Sequence, residues 1–174
     1  MTKRFPVLRV LTLSPRSTRG VLAMGGLRFA CSVGRSGMSA RKREGDGTSP
    51  RGSWKLTRLF YRADRLAPPR SGLRPEALKA DQGWCETVGD RNYNRPVRIP
   101  YATAHETMCR ADHLYDIVIA TSHNDRPRVQ GHGSAVFFHL RRPDGGPTAG
   151  CVAVSLRDMR IILQHVGPNT RIRI

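Results

Sequence analysis

The residues best suited to chemistry lie between Gly131 and Ser155, in the run GHGSAVFFHLRRPDGGPTAGCVAVS. His139 ends an apolar stretch, a turn rich in Gly and Pro follows, and Cys151 comes straight after Gly150. Thioester chemistry needs these parts. A free cysteine is mostly thiol at neutral pH, whereas the thiolate is the nucleophile, so a nearby imidazole must take the proton. Gly150 leaves room for a carbonyl to approach the backbone. The N–H groups around Gly150 and Cys151 are candidates to hold the tetrahedral oxyanion, at about 3–4 kcal/mol per donor. The plain alternative is a cysteine packed as inert core and a histidine bonded within its strand.

Other residues invite a chemical reading with less support. His105, Cys109 and His113 recur every four residues and would share one face of a helix, as zinc ligands do. No fourth ligand stands at a standard spacing, so neither a metal nor any other cofactor is expected. Cys31 and Cys109 read as structural, while Cys85 lies in a loop and stays open. In a chain this long, four cysteines without a CxxC pair show no disulfide framework. Gly83-Trp84-Cys85 and Asn92-Tyr93-Asn94 set aromatics among polar groups. Trp84 and Tyr93 are therefore candidate substrate contacts, or else aromatics tucked onto the core. Ser134 and Thr148, which flank the His–Cys segment, are candidate contacts of the same kind.

The elements that must position these groups are mostly strands. Val7–Leu13 alternates around Arg9, and Gly20–Met24 meets Leu27–Val33 through the Gly25-Gly26 turn as a hairpin. A polar stretch from Gly34 to Gly52 ends in a strong turn signal. Trp54–Tyr61 then alternates Trp54, Leu56 and Arg58 on one face. Residues 63–100 carry Pro, Gly and charge with little periodicity, and a segment like that inside a compact domain is usually functional. Leu114–Ala120 and Ala135–Leu140 are apolar runs that suit buried central strands, and Cys151–Val154 is a short strand or turn. Ser155 caps a helix with Asp158 at its third position, Met159, Ile162, Leu163 and Val166 follow at helical spacing, and Gly167-Pro168 ends it. Thr170–Ile174 closes the chain as a strand.

The chain of 174 residues is the size of one domain, and no stretch approaches the roughly 20 apolar residues of a membrane span. Pro6 and Arg9 interrupt the first apolar stretch, so no secretory signal is expected. The charge is +17, and with only Lys3, Lys42, Lys55 and Lys79 as lysines, the other 26 basic residues are arginine. Such a surface attracts polyanions. The arginines are spread along the whole chain rather than gathered on one element, which argues for a solvated surface and against a specific nucleic-acid interface.

Residues 131–155 resemble the active-site segment of the L,D-transpeptidase catalytic-domain family of bacterial cell-wall enzymes. In that family a strand ends in His, and Ser/Thr-His-Gly-Cys-Ile/Val-Arg follows after a loop. Phe138-His139 matches the strand histidine, and Thr148-Ala149-Gly150-Cys151-Val152 the nucleophile segment. Upstream, Gly47-Thr48-Ser49-Pro50-Arg51-Gly52 with Trp54-Lys55-Leu56 is similar to the family's Thr-Pro-x-Gly-x-Phe. Ala149 and Ala153 stand where the family has His and Arg, Ser49 interrupts the Thr-Pro pair, and the His-to-Cys loop is short. These departures bear on donor specificity. The likeness spans roughly residues 20–174.

The resemblance implies a mostly-β, sandwich-type domain over 1–174, with one helix in its second half and residues 63–113 as a lid or flanking insertion. It implies Cys151 as nucleophile, His139 as general base and acid, and Gly150 as a backbone oxyanion donor. His132, in the pair His132-Gly133, is the rival base. His139 is preferred because it ends the apolar strand, where the resemblance puts the base. The implied substrate is a peptidoglycan stem peptide, cross-linked through a Cys151 thioester, or trimmed by water as in an L,D-carboxypeptidase. A cell-envelope or periplasmic location follows by the same resemblance, with the cytoplasm open and a monomer expected. A basic nucleic-acid-binding or wall-binding module without catalysis is the alternative of a different class.

Overall fold

A computed structural model describes residues 4–174. The strands are β1 (Val7–Leu11), β2 (Arg19–Met24), β3 (Leu27–Ser32), β4 (Met38–Ser39), β5 (Ser49–Pro50), β6 (Ser53–Tyr61), β7 (Pro75–Ala77), β8 (Gln82–Cys85), β9 (Pro96–Arg98), β10 (His105–Thr107), β11 (Ile117–Thr121), β12 (Phe137–Leu140), β13 (Val152–Val154) and β14 (Arg171–Arg173), with a single helix, α1 (Leu156–His165), between the last two. The mostly-β expectation with one helix holds. The main sheet runs β11-β12-β13-β3-β2-β1-β14-β6, and β6 pairs back onto β11. Eight strands thus close into a ring, which leaves fewer edges open than a sandwich of separate sheets would.

One core gathers side chains from all eight ring strands, among them Leu8, Leu22, Cys31, Leu56, Ile119, Phe138, Val154 and Ile172. Met159, Ile162 and Leu163 of α1 pack into that core, each fully buried. Side chains alternate along a strand, so β11 and β12 also present a second face. Val118, Ala120 and Phe137 join Phe60, Trp84, Tyr115 and Cys151 in a second cluster. Burial on both faces explains why these two strands read as largely apolar runs rather than as alternating ones.

Ser155 caps α1 by accepting the Asp158 N–H at 3.1 Å, as the capping pattern predicts. Removing that acceptor leaves an orphan N–H in the first turn. Ser155→Ala is expected to cost about 1 kcal/mol, read as a denaturation midpoint lowered at constant slope.

The aperiodic middle segment contains secondary structure that its composition does not advertise. β8, β9 and β10 form a separate three-stranded sheet, and β7 adds to β6. His105 lies in β10, and Cys109 and His113 in the bends after it. The helical face on which a zinc set depended is therefore absent, and no group of three metal-type side chains occurs among the described residues.

Candidate active site

A cavity of about 510 Å³ opens between the main ring and the small sheet, and both Cys151 and His139 line it. That volume suits a small-molecule or peptide-end ligand. β12 and β13 run parallel with His139 opposite Ala153. Cys151, two residues before Ala153, falls on the same face as the imidazole.

Three loops lock Cys151 in place. Its carbonyl accepts from Thr148 Oγ1 at 2.7 Å and from Ser49 Oγ at 3.2 Å, while Ser49 Oγ also takes the Gly34 N–H. Thr148 is tied to the chain after β3 through Arg35 N–H and Val33 O. The residue before the nucleophile must be glycine. Gly150 has φ of +143°, and a Cβ there would lie 2.8 Å from the Thr48 carbonyl.

The sulfur itself is bonded to backbone. Cys151 Sγ donates to the Ala135 carbonyl at 3.2 Å and accepts from the Phe137 N–H at 3.3 Å. Ala135 holds φ of +49°, a left-handed conformation that costs a non-glycine residue about 1 kcal/mol or more. A strained residue thus presents the carbonyl that anchors the thiol proton. The described residues include no hydrogen bond between Sγ and His139.

His139 is fixed from the other side. Its Nδ1 lies 2.8 Å from the Leu140 carbonyl, which only accepts, so Nδ1 carries the hydrogen and Nε2 keeps its lone pair. The ring packs edge-on against Tyr115 at 5.2 Å. Burial pushes the imidazole down to about 4, and burial likewise pushes the Cys151 thiol up to about 12. The resting pair is therefore thiol and neutral imidazole, not an ion pair.

That state has a measurable signature. A thiol near 12 rather than the ordinary 9 has about a thousandfold less thiolate at pH 7, partly offset by the greater nucleophilicity of a more basic sulfur. Alkylation of Cys151 by iodoacetamide is expected to run about 50-fold slower than free cysteine at pH 7, and to rise about tenfold per pH unit from 7 to 9. Peptide mapping separates this from Cys109, which is partly exposed, whereas Cys31 and Cys85 are buried.

The cavity wall carries opposite charges. Glu44, Glu86 and Glu106 line it, as do Arg35, Arg141 and Arg142. Burial, then the charges of Glu106 and Glu44, raise Glu86 to about 7. Glu106 is paired with Arg110 at 2.7 Å.

The other residues singled out from sequence fall on two sides. Ser134 and Thr148 line the cavity. Trp84 and Tyr93 are not among its lining residues. Trp84 points its Nε1 to Asn94 Oδ1 at 2.9 Å and packs edge-on against Phe137. Tyr93 is fully buried, donates to Glu44 Oε2 at 2.5 Å and accepts the Gly133 N–H. Both hold the cavity wall from behind. His132 is exposed and away from the cavity, with its carbonyl taking His123 Nε2. Of the two N–H groups considered for the oxyanion, Gly150's is engaged with Thr148 Oγ1 at 3.1 Å. The Cys151 N–H has no acceptor among the described residues.

Lys42, whose side chain is buried with its Nζ beside Gly150, and its half-buried partner Asp46 gave no signal in the sequence beyond a charged glycine-rich turn. The one hint is Asp46 between Gly45 and Gly47 ahead of Thr48, a pattern that turns a carboxylate back onto its own loop.

A family model for the YkuD L,D-transpeptidase catalytic domain matches residues 13–174. The chain belongs to the L,D-transpeptidase catalytic-domain family. No curated protein and no solved structure matches it. For this L,D-transpeptidase-family domain, the match takes in every ring strand after β1, the small sheet and the loops around Cys151. Membership brings an expectation of enzymatic work on peptidoglycan, to which a cavity lined by both carboxylates and arginines is chemically suited.

Proposed function

We propose that this domain is a cysteine acyltransferase that cross-links peptidoglycan stem peptides through a thioester on Cys151. The observation that carries the reading is a shared cavity. Cys151 Sγ and an imidazole whose Nδ1 is tied to Leu140 both face it, which leaves Nε2 as the base.

The steps follow from these groups. A stem-peptide carbonyl enters the cavity, and Nε2 of His139 takes the thiol proton as sulfur attacks. A neutral resting pair favours this coupled transfer over a standing thiolate. The carbonyl oxygen becomes an oxyanion beside the Cys151 N–H. Collapse breaks the C–N bond, and His139 passes its proton to the leaving amine, a terminal D-alanine. The amine of a second stem then attacks the thioester, and the sulfur regains its proton. Water in place of that amine gives an L,D-carboxypeptidase from the same site.

The partner is thus the stem peptide, with residues 1–174 acting as one catalytic unit and segment 63–113 flanking its cavity. Work on peptidoglycan places the domain in the cell envelope, where +17 of charge favours residence on anionic polymer. No helix among the described residues is long and apolar enough to cross a membrane.

Incubation with a disaccharide-tetrapeptide, followed by mass spectrometry, tests the reading. Cross-linked dimer with released D-alanine is the expected product. Tripeptide alone identifies the hydrolase, and unchanged substrate over native protein ends the proposal.

A further inference from the structure

The oxyanion formed in that reaction needs more than one donor, and the backbone supplies one. Of the two candidate N–H groups, Gly150's is held by Thr148 and the Cys151 N–H has no acceptor among the described residues. A buried cation stands beside that gap. The Lys42 side chain is 7% exposed and lines the cavity. Its stem passes Gly133, where a Cβ would lie 2.9 Å from Cγ of the lysine, and its Nζ ends at Gly150, where a Cβ would lie 3.4 Å away. Two glycines thus clear its path to the nucleophile segment.

Lys42 is also held there with donors to spare. Its acceptor among the described residues is Asp46 Oδ1 at 2.5 Å. An ammonium has three N–H groups. Asp46 is pinned in turn by the Arg43 N–H at 2.7 Å, the Thr48 N–H at 2.8 Å and Thr48 Oγ1 at 2.9 Å. These bonds and the lysine hold its carboxyl down at about 2, against the opposing effect of burial. Asp46 therefore stays ionised and fixes the direction of Nζ. A buried cation with unsatisfied donors on a cavity wall is arranged for an anionic group.

Resting on the acyl-transfer reading above, we propose that the Lys42 ammonium is a catalytic residue, the second oxyanion donor beside the Cys151 N–H. As the S–C bond forms, the π pair of the carbonyl moves to oxygen, and that O⁻ accepts from Lys42 Nζ and Cys151 N. Lys42 gives up no proton. The thiol proton goes to His139 and then to the leaving nitrogen, as before. The same positive charge also favours loss of the Cys151 proton, so the test must separate the two effects.

Two electrophiles do so. Opening of a carbapenem β-lactam by Cys151 passes through a tetrahedral oxyanion, whereas alkylation by iodoacetamide does not. Both are followed by intact mass in wild type, Lys42→Met, Lys42→Gln and Lys42→Arg, with alkylation measured across pH to obtain the thiol pKa and compare rates at equal thiolate. Lys42→Met is expected to slow acylation about 100- to 1,000-fold at equal thiolate and alkylation less than about threefold. Arg and Gln, which keep N–H donors, recover part of the loss. Equal slowing of both reactions, or unchanged acylation, overturns the role of Lys42. Thermal melts identify a variant that fails to fold, and the mildest folded substitution then decides by the same ratio. Wild type that is alkylated but never acylated ends the acyl-transfer reading itself.

Discussion

Cys151→Ser is expected to lower acyl transfer by about 10⁴-fold or more while the protein keeps its thermal midpoint within a few degrees. The substitution suits the site because a hydroxyl reproduces what the sulfur does at rest. It donates to the Ala135 carbonyl and accepts the Phe137 N–H. Alanine at the same place would leave that buried N–H unpaired, at about 1–3 kcal/mol, and would mix a stability effect into the measurement. What serine cannot do is ionise with the help of an imidazole held near 4. The carbapenem adduct on Cys151 should vanish from the mass spectrum together with activity. An adduct that persists in the variant would move the nucleophile to another residue and remove the mechanism.

The second large effect is at His139. His139→Asn is expected to cost about 10²–10⁴-fold in acylation, the usual worth of a positioned base. The asparagine amide approximates the Nδ1 bond to Leu140 O, so the strand end stays satisfied, but nothing replaces Nε2. The pH profile adds a readout that mere repacking does not give. In wild type the acid limb falls near pH 4, because below it Nε2 is protonated and cannot accept. In the variant that limb disappears, and the rate climbs with pH as the thiol begins to ionise toward 12. An acid limb that stays near 4 in His139→Asn would show that some other group is the base.

Much of the scaffold was legible from residue order because local rules governed it. Gly25 supplies the φ of +56° needed between β2 and β3, and Ser155 with Asp158 marks the start of α1. The runs that became β11 and β12 were apolar at successive positions, Ile117, Val118, Ile119 and Ala120 in one and Phe137 and Phe138 in the other, because both their faces are covered. Closure of the ring was not legible. It depends on β6 meeting β11, Tyr61 against Ile117 and Leu56 against Thr121, and alternation within a strand does not name its partner.

At the site, the His–Gly–Cys spacing and its resemblance led to His139 and Cys151, which do share one cavity. Trp84 and Tyr93 were open to two readings because aromatics among polar neighbours suit either a ligand contact or a core-facing loop. Here Asn94 and the half-buried Glu44 are the partners that let the Nε1 and hydroxyl leave water. Lys42 was missed for the opposite reason. RKREGDG has the composition of a solvated loop, and only packing against Gly133 and Gly150 takes its ammonium out of water.

The protonated state of Cys151 has a consequence beyond turnover. Oxidants such as peroxide attack sulfur chiefly as the exposed anion, and Cys151 is buried, with its thiol hydrogen directed to a neighbouring carbonyl. A thiol held in this way is guarded against oxidation until an acyl donor arrives.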